Sequence, residues 1–430
     1  MNLARYLMQS RGPVNAARRL GVIAQRFGIS QDKMGAALDA YLDVTDRFGC
    51  TPTLAITANL LDRYPRPFIK LAERGAELAV HGYVHTNYGQ LGLEQQAEHM
   101  DKALSAYRRL GIPVAGSRGP YLGWNAESIA VAKAAGLSYT SNTPLAWDVT
   151  EREDVPAQSW AAYDKGLALY GARKAVTTAS LPTGLDGGLL DLPVSLPDDE
   201  EMVDRLGLTP GQRKAAWLRI LDRVYARGEL FTLILHHERL PICRDELEFL
   251  LSEARAREPK VWIAPLKEIS SWWRRRSGYR LEIKPLDDGL YEVTGPSDDE
   301  VTVLVHAAAG ASGSRPWFGQ YRLGPERFTV QSGPLPAIGV REDAPEQLVR
   351  FLEAEGYVVQ RGDKSRCALF LDRTAFCEDD KLAIAEAIEN SAAPLVRLWR
   401  WPGAARCALA ITGDVDAMSL IDFLRRPLEV

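Results

Sequence analysis

The 430-residue chain has few of the residues that build disulfide scaffolds or thiolate metal sites, and it carries no excess of positive charge. Its five cysteines are scattered and never form a Cys-x-x-Cys pair, so neither a disulfide framework nor a thiolate site is indicated. A net charge of -4 lacks the basic excess expected of a nucleic-acid binder. We therefore expect a reducing compartment and no nucleic-acid partner.

Long hydrophobic runs are also missing. No segment approaches the roughly 18 continuous apolar residues that a membrane-spanning helix needs, and Met1–Met8 has no apolar core of signal-peptide length. We therefore predict a cytoplasmic protein without an integral membrane segment. Hydrophobic residues at 46% and charged residues at 25% are ordinary for globular proteins, and the length predicts two or three domains. The pattern does not predict the oligomeric state.

From Lys33 to Trp273, short β-like runs alternate with helical stretches, and several runs end in residues that could carry chemistry. Repeated βα units of this kind predict an α/β fold, with a barrel or an open parallel sheet. Past Gly278, short strands separated by Asp, Gly, Pro and Ser turns predict a small β module over 278–332. Residues 333–398 predict a small α/β module, with Leu395–Leu398 as its last strand. No Gly-x-Gly-x-x-Gly accompanies this module, so no nucleotide is assigned to it.

The segment from Arg406 to Ala417 reads as a buried strand that runs into two carboxylates, Asp414 and Asp416. Chain ends are usually frayed unless they are tied into a sheet, whereas this segment has the apolar density of a central strand. We therefore expect residues 399–430 to complete the barrel whose main part is 1–277. A simpler interpretation is that the two aspartates only cap a turn.

Histidine is scarce, yet four of the six histidines fall into two short strings. His81 and His85 follow the apolar run Glu77–Val80, and His236 and His237 follow Leu233-Ile-Leu. Two imidazoles four positions apart can share one divalent cation. Taken singly, each could instead be a structural histidine that bonds backbone carbonyls, and His236 could be a packed core residue.

These strings together resemble the motifs of the polysaccharide deacetylase family, the metal-dependent carbohydrate esterases of family 4 with a distorted (β/α) barrel. In that family a Thr-Phe-Asp-Asp-Gly strand end comes first, followed by His-x-x-x-His, Arg-x-Pro-Tyr, an Asp/Trp-rich string and Leu-x-His. The corresponding strings here are Thr412-Gly-Asp414-Val-Asp416, His81 to His85, Arg118-Gly-Pro-Tyr121, Trp147-Asp148 to Asp154, and Leu233-Ile-Leu-His236. The first motif comes last, so the resemblance implies a circularly permuted (β/α)7-type barrel whose first strand is supplied from residues 399–430.

The resemblance implies a divalent metal held by His81, His85 and Asp416, with zinc preferred and nickel or cobalt as alternatives. A water bound to that metal would attack the acetyl carbonyl. Asp414 would take the proton of this water.

The resemblance assigns the remaining roles to four other residues. Arg118 would orient the base, although it could equally be a surface ion pair, and a backbone N–H near Tyr121 would meet the oxyanion. His236 would protonate the departing amine or alcohol, and Asp148 could orient His236.

The implied function is a hydrolase of carbon–nitrogen (non-peptide) bonds or acetyl esters, which removes acetyl groups from a glycan or a sugar-linked small molecule. Two alternatives remain open. One is a catalytically silent glycan-binding or assembly protein, and the other is a related amide hydrolase that needs little metal. A further acidic string, Pro197-Asp-Asp-Glu-Glu201, is typical of a solvated helix start. Because it follows a strand, it could instead line the opening of the predicted metal site.

Overall fold

The computed structural model describes residues 26–306, 309–362 and 364–429. The expectation drawn from Met1–Met8 lies outside these residues. The first part of the described chain alternates strands and helices, as the hydrophobic pattern predicts. Its strands are β1 (Thr53–Ile56), β2 (Glu77–Val80), β3 (Gly116–Ser117), β4 (Tyr139–Thr140), β5 (Pro144–Ala146), β6 (Arg173–Lys174), β7 (Thr183–Gly184), β8 (Leu190–Asp191), β9 (Val194–Leu196), β10 (Leu230–Ile234) and β11 (Val261–Ile263).

The helices between these strands pack on the outside of the sheet. They are α1 (Asp32–Arg47), α2 (Asn59–Arg63), α3 (Pro65–Glu73), α4 (Leu93–Arg109), α5 (Ala126–Ala134), α6 (Ala157–Tyr170), α7 (Pro210–Arg227), α8 (Leu240–Arg255) and α9 (Leu266–Ser277). Helix α7 illustrates the local signals, because a Thr209/Gln212 capping box and Pro210 begin it and Gly228 ends it in a left-handed conformation. No helix among the described residues is both long and apolar enough to cross a bilayer.

A later strand, β23 (Cys407–Val415), lies in the centre of the main sheet. All nine of its residues are buried, and it pairs in parallel with β10 on one side and β1 on the other. Strand β11 also pairs with its first residues. The apolar run is long because a strand with neighbours on both edges and packed faces on both sides has no solvated side chains. Strand β23 thus lies between β10 and β1 in the sheet of the first part of the chain.

The main sheet has nine strands in the order β10-β23-β1-β2-β3-β4-β8-β7, with β11 beside β23, and it curls into a half-barrel. The protein is thus a mixed α/β protein of the expected class. A separate three-stranded sheet, β6-β5-β9, lies next to it. The hydrophobic pattern did not predict α6, β5, β6, β7 or β9, because these elements are short or weakly periodic.

The remaining residues form smaller sheets. Two four-stranded antiparallel sheets have the orders β12-β13-β18-β15 and β16-β17-β14-β22, and a parallel sheet has the order β20-β19-β21. The strands are β12 (Glu282–Pro285), β13 (Leu290–Thr294), β14 (Val303–His306), β15 (Gly310–Ala311), β16 (Arg315–Phe318), β17 (Tyr321–Gly324), β18 (Arg327–Gln331), β19 (Leu335–Val340), β20 (Val359–Arg361), β21 (Cys367–Leu371) and β22 (Val396–Leu398); the helices are α10 (Glu346–Ala354) and α11 (Asp380–Glu389).

Strand β22 corrects one prediction. The segment Leu395–Leu398 was expected to be the last strand of the small α/β module. The structure instead pairs β22 antiparallel with β14, so that Val303 lies opposite Leu398 in the β module. The local sequence cannot distinguish the two partners, because an apolar strand pairs with whichever edge the chain path presents to it.

Candidate metal centre

Four strands of the main sheet end at one edge, and each carries a predicted site residue there. Strand β2 leads into His81, β3 into Arg118, β10 into His236, and β23 holds Asp414 just before its end. Carboxyl ends of neighbouring parallel strands meet at the same edge of a sheet, which is where α/β proteins place their ligands. The strand order therefore brings together residues that are more than 300 positions apart in the sequence.

The two imidazoles and Asp416 form a compact group of possible metal ligands. The Nε2 atoms of His81 and His85 lie 3.3 Å and 3.2 Å from the two carboxylate oxygens of Asp416. One ligand atom from each residue lies within 4.8 Å of the others, and Asp416 Oδ1 is buried without a hydrogen bond. This arrangement fits a divalent cation, because two imidazoles and a carboxylate are the donor set of many zinc sites.

The orientation of His81 supports the same assignment. Its Nδ1 lies 2.9 Å from the Arg118 carbonyl oxygen, which leaves Nε2 directed at Asp416. Such second contacts hold the ring of a metal-binding histidine in place. Burial lowers the pKa of His85 to about 4, so at neutral pH its ring is in the uncharged form that binds metals.

Gly82, between the two histidines, is a position that no other residue fits well. Its φ is +71°, and a Cβ added there would lie 2.5 Å from the ring of Tyr88. The Tyr88 hydroxyl accepts a hydrogen bond from the backbone N–H of Tyr83. The turn that presents His81 and His85 is therefore packed directly against a buried aromatic ring, and glycine is required by both the backbone conformation and the space.

Asp414 is bound by Arg118 in the interior of the half-barrel. Arg118 Nη1 donates to Asp414 Oδ1 and to the Thr412 hydroxyl, each at 2.9 Å, because alternate residues of β23 face the same side. Burial alone would raise the pKa of Asp414, but the Arg118 charge outweighs it and holds the pKa below the usual value. Gly413 between them permits close contact, since an added Cβ would lie 2.5 Å from the Leu235 carbonyl oxygen.

Asp416 is also kept ionised. Burial opposes ionisation, but the contacts of its carboxylate with the His85 ring and the charge of Arg426 lower the pKa of Asp416 well below the usual value. Arg426 Nη2 lies 3.1 Å from Asp416 Oδ2. Asp416 is therefore a carboxylate at neutral pH, as a metal ligand must be.

His236 is held by an aspartate that the sequence analysis did not select. Its Nδ1 lies 2.8 Å from Asp199 Oδ1, and its backbone N–H donates to Asp199 Oδ2. Burial would lower the pKa of His236, but Asp199 outweighs burial and raises the pKa well above the usual value. The predicted partner Asp148 is exposed instead, so the prediction that it orients His236 is wrong. Asp148 faces solvent, and Asp199, shortly after β9, supplies the carboxylate that binds His236.

The string that contains Asp199 is not a solvated helix start. Asp198, Asp199 and Glu201 are all buried, and the Asp198 carboxylate accepts hydrogen bonds from the backbone N–H groups of residues 200 and 201. The signal that could have identified Asp199 was present, because this acidic string directly follows strand β9.

Tyr121 lies at the mouth of the site in an unusual backbone conformation. Tyr121 and Leu122 have φ values of 59° and 53°, which place two consecutive non-glycine residues in the left-handed region. Such conformations are uncommon and cluster at functional sites. The Tyr121 ring packs edge-on against His85 with centroids 4.7 Å apart, and the tyrosine is 46% exposed. Tyr121 therefore forms part of the wall beside the metal ligands.

The sequence profile of the polysaccharide deacetylase family matches residues 28–140, which include both histidines and the Arg118–Tyr121 turn. This part of the chain belongs to the polysaccharide deacetylase family. A peptidoglycan deacetylase-like protein, FGM2 of Gibberella zeae, is 26% identical over 125 residues, which are 28% of this chain and 34% of that protein. The chain thus spans about a third of the length of that relative.

Solved structures show a looser likeness. A probable polysaccharide deacetylase from Pseudomonas aeruginosa PAO1 is 19% identical, covering 57% of this chain and 75% of that one, with a TM-score of 0.45. PuuE allantoinase is 17% identical, covering 56% and 74%, with a TM-score of 0.44. At these values the likenesses decide nothing about the activity of this protein.

Proposed function

We propose that the protein is a metal-dependent hydrolase that removes acetyl groups from a glycan or a sugar-linked precursor. The observation that supports this best is the convergence of His81, His85 and Asp416 into one donor set beside the Asp414–Arg118 pair. A structural role alone would not need two ionised carboxylates and two imidazoles buried within contact distance, because burial of such groups is costly.

In the proposed reaction each residue has one task. Asp414, kept ionised by Arg118, takes a proton from the attacking water, and the backbone N–H of Tyr121 donates to the oxyanion that develops on the acetyl carbonyl. His236, kept protonated by Asp199, donates its proton to the departing amine or alcohol. The bound cation supplies Lewis-acid polarisation of the carbonyl.

We propose zinc as the cation, with nickel or cobalt able to replace it, because nitrogen and carboxylate donors suit all three. The substrate would be an acetylated sugar, and both N-acetyl and O-acetyl groups fit the chemistry. With the predicted cytoplasmic location, a lipid-linked or nucleotide-linked sugar fits better than a finished wall polymer.

We also propose that the family's usual chain order is permuted in this protein, with residues 1–277 and 399–430 sharing one barrel. Two contacts support this proposal. Strand β23 lies between β10 and β1, and just beyond it the N–H of Leu420 donates to the Gly28 carbonyl oxygen at 2.8 Å. The residues that follow the Asp416 motif thus meet the beginning of the chain segment that matches the family. The units 278–332 and 333–398 would then be two inserted modules.

The test combines metal content with turnover. We expect the purified protein to hold about one zinc, nickel or cobalt ion per chain, since the donor set forms one site. It should release acetate from acetylated chito-oligosaccharides or aryl acetates. The His81→Ala variant should lose both the metal and the activity. Elemental analysis and an acetate assay provide the two measurements.

The matched control is His99→Ala, which removes a half-buried imidazole that contacts the Tyr88 hydroxyl outside the metal group. This variant should retain metal and turnover. A protein that neither binds metal nor releases acetate would be a silent binding protein. Amide hydrolysis that continues in the presence of chelators would instead favour a hydrolase that does not depend on metal.

A further inference from the structure

A short segment beyond Asp416 packs against helix α2, next to the proposed metal ligands. It contains α12 (Leu420–Arg425) and a helical turn at Arg426–Leu428. Arg63 of helix α2 pairs with both Asp422, at 3.0 Å, and Glu429, and Asn59 donates to Glu429 at 2.8 Å. These contacts hold the segment on both sides of residue 426.

Arg426 lies at the inner side of this segment, against the proposed metal ligands. Its Nε donates to the Asp416 carbonyl oxygen at 3.2 Å, and its guanidinium packs 4.8 Å from the centre of the Phe423 ring. These two contacts fix the direction of the side chain. Its charge also lowers the pKa of Tyr121, although the larger effect of burial raises that pKa overall.

The guanidinium has hydrogen-bonding capacity that the protein does not use. Arg426 Nη2 is buried and lies 3.1 Å from Asp416 Oδ2, yet it makes no hydrogen bond of acceptable geometry. Among the described residues, the ion pair recorded for Arg426 is the one with Asp416. A buried guanidinium N–H group without an acceptor is costly, so an acceptor is expected when the site is in use.

The charges at the site indicate what that acceptor is. Asp414 is already paired with Arg118, and under the proposed function Asp416 binds a divalent cation. The negative charge of Asp416 is then shared with the cation, so it compensates the positive charge of Arg426 only in part. Arginine presents a planar pair of N–H donors that matches a carboxylate or a phosphate.

We infer that Arg426 binds an anionic group of the substrate, a carboxylate or a phosphate ester, next to the acetyl group that is removed. This inference rests on the proposed function, and it narrows the substrate class to acidic acetylated sugars. Carboxylate and phosphate offer the same paired oxygens, so the experiment includes one ligand of each kind.

The test measures equilibrium binding by calorimetry to the zinc-loaded full chain. The ligands are N-acetylglucosamine, N-acetylglucosamine 6-phosphate and N-acetylmuramic acid, which are neutral, phosphorylated and carboxylated. At least one acidic sugar should bind about 10-fold more tightly than the neutral sugar, as expected for a charge-assisted hydrogen bond. Arg426→Gln should remove this preference, and Arg426→Lys should keep part of it. The matched control, Arg425→Gln, changes the exposed neighbouring arginine and should bind like the wild type.

Equal binding of the three sugars by the wild type would overturn the inference. So would an Arg426→Gln variant that loses zinc and binds all three sugars equally less well, since Arg426 would then only position Asp416. An Arg426-dependent preference without any acetate release would support the anion site and discard the deacetylase. If the Arg426→Gln variant fails to fold, the Arg426→Lys variant still tests the inference. It should keep part of the preference for an acidic sugar over the neutral sugar.

Discussion

At the scale of single residues, the protonation state of each site residue is set by the balance between burial and its charged neighbours. His85 and His236 are both buried, yet burial lowers the pKa of His85 to about 4 whereas Asp199 raises that of His236 well above its usual value. Burial raises the pKa of Asp199 to about 6, so at neutral pH the carboxylate is ionised and the proton resides on His236. One imidazole is thereby suited to bind a cation and the other to donate a proton.

The Asp199→Asn variant tests this division of roles. Without the carboxylate, burial should dominate and the pKa of His236 should fall below its usual value of about 6.5, so the ring becomes neutral at pH 7. We expect acetate release at pH 7 to fall by about 100-fold, within the range for loss of a general acid. The alkaline limb of the pH–rate profile should move to lower pH.

The control for this variant is Asp148→Asn, which changes the exposed aspartate first expected to orient His236. It should leave the profile as in the wild type. If Asp148→Asn instead reproduced the effect and Asp199→Asn did not, our description of the His236 contacts would be wrong.

At the scale of secondary-structure elements, β23 is the strand on which both the sheet and the site depend. It pairs with β10, β1 and β11, and its side chains Leu409 and Ile411 are fully buried in the largest hydrophobic cluster. It also brings Asp414 and Asp416 next to His81 and His85, at the proposed metal site. For folding, the place of β23 in the sheet matters more than its place in the chain order. Packed elements retain their contacts when the chain is cut and rejoined at surface positions.

A rearranged gene tests the proposed permutation. We expect a chain that places residues 404–429 ahead of residues 26–403, joined by a short Gly/Ser linker, to fold and to bind the same amount of zinc as residues 26–429 in the native order. Thermal melting followed by circular dichroism, together with elemental analysis, provides the measurements.

The control is residues 26–403 alone, which lack β23. This chain should show no cooperative melting, because the main sheet would lose its central strand. A rearranged chain that is as unfolded as this control would show that the native connection is required, and the permutation proposal would be abandoned.

At the scale of the whole molecule, one buried carboxylate ties the small modules to the half-barrel. Glu355, at the end of α10, pairs with Arg397 at 2.8 Å and also with Arg400. Arg400 in turn donates to the carbonyl oxygens of residues 227 and 228 at the end of α7. The contact therefore runs from the α/β module through the β22 region to the half-barrel.

Glu355 makes the stability of the protein sensitive to acid. Burial would raise its pKa, but Arg400 and Arg397 outweigh burial and lower the pKa to about 2. A depressed pKa in the folded state contributes stability that is complete above the unfolded value of about 4.3 and is lost as the pH falls towards 2. This contribution of Glu355 to the free energy of unfolding is on the order of 3 kcal/mol. Glu355→Gln should remove this acid-dependent part of the stability. It should also lower the free energy of unfolding at pH 7 by about 3–5 kcal/mol, because two buried arginines lose their counter-ion.

Urea unfolding at pH 7 and at pH 3 measures both effects. The control is Glu353→Gln, which changes an exposed residue of the same helix. Its free energy of unfolding should stay within about 0.5 kcal/mol of the wild-type value. A Glu355→Gln protein with wild-type stability at pH 7 would contradict the role of this ion-pair cluster.

The amino-acid sequence alone was enough to predict which residue types follow the strands: the two histidines after β2, Arg118 after β3, His236 after β10 and the acidic pair at β23. These are local features, since a short apolar run followed by a polar residue marks a strand end without knowledge of the fold. The family motifs added the expectation that the residues meet, and the strand order places them together.

Which side chains act on those residues follows from the packing of the whole chain. Asp199 rather than Asp148 holds His236, Arg426 lies against Asp416, and β22 pairs with β14 rather than with the α/β module. Asp199 and His236 are 37 positions apart, Arg426 contacts Asp416 because the chain turns back between them, and β22 had an equally suitable partner in the α/β module. Local propensity and periodicity carry no information about such choices, because they are made by the packing of the whole chain.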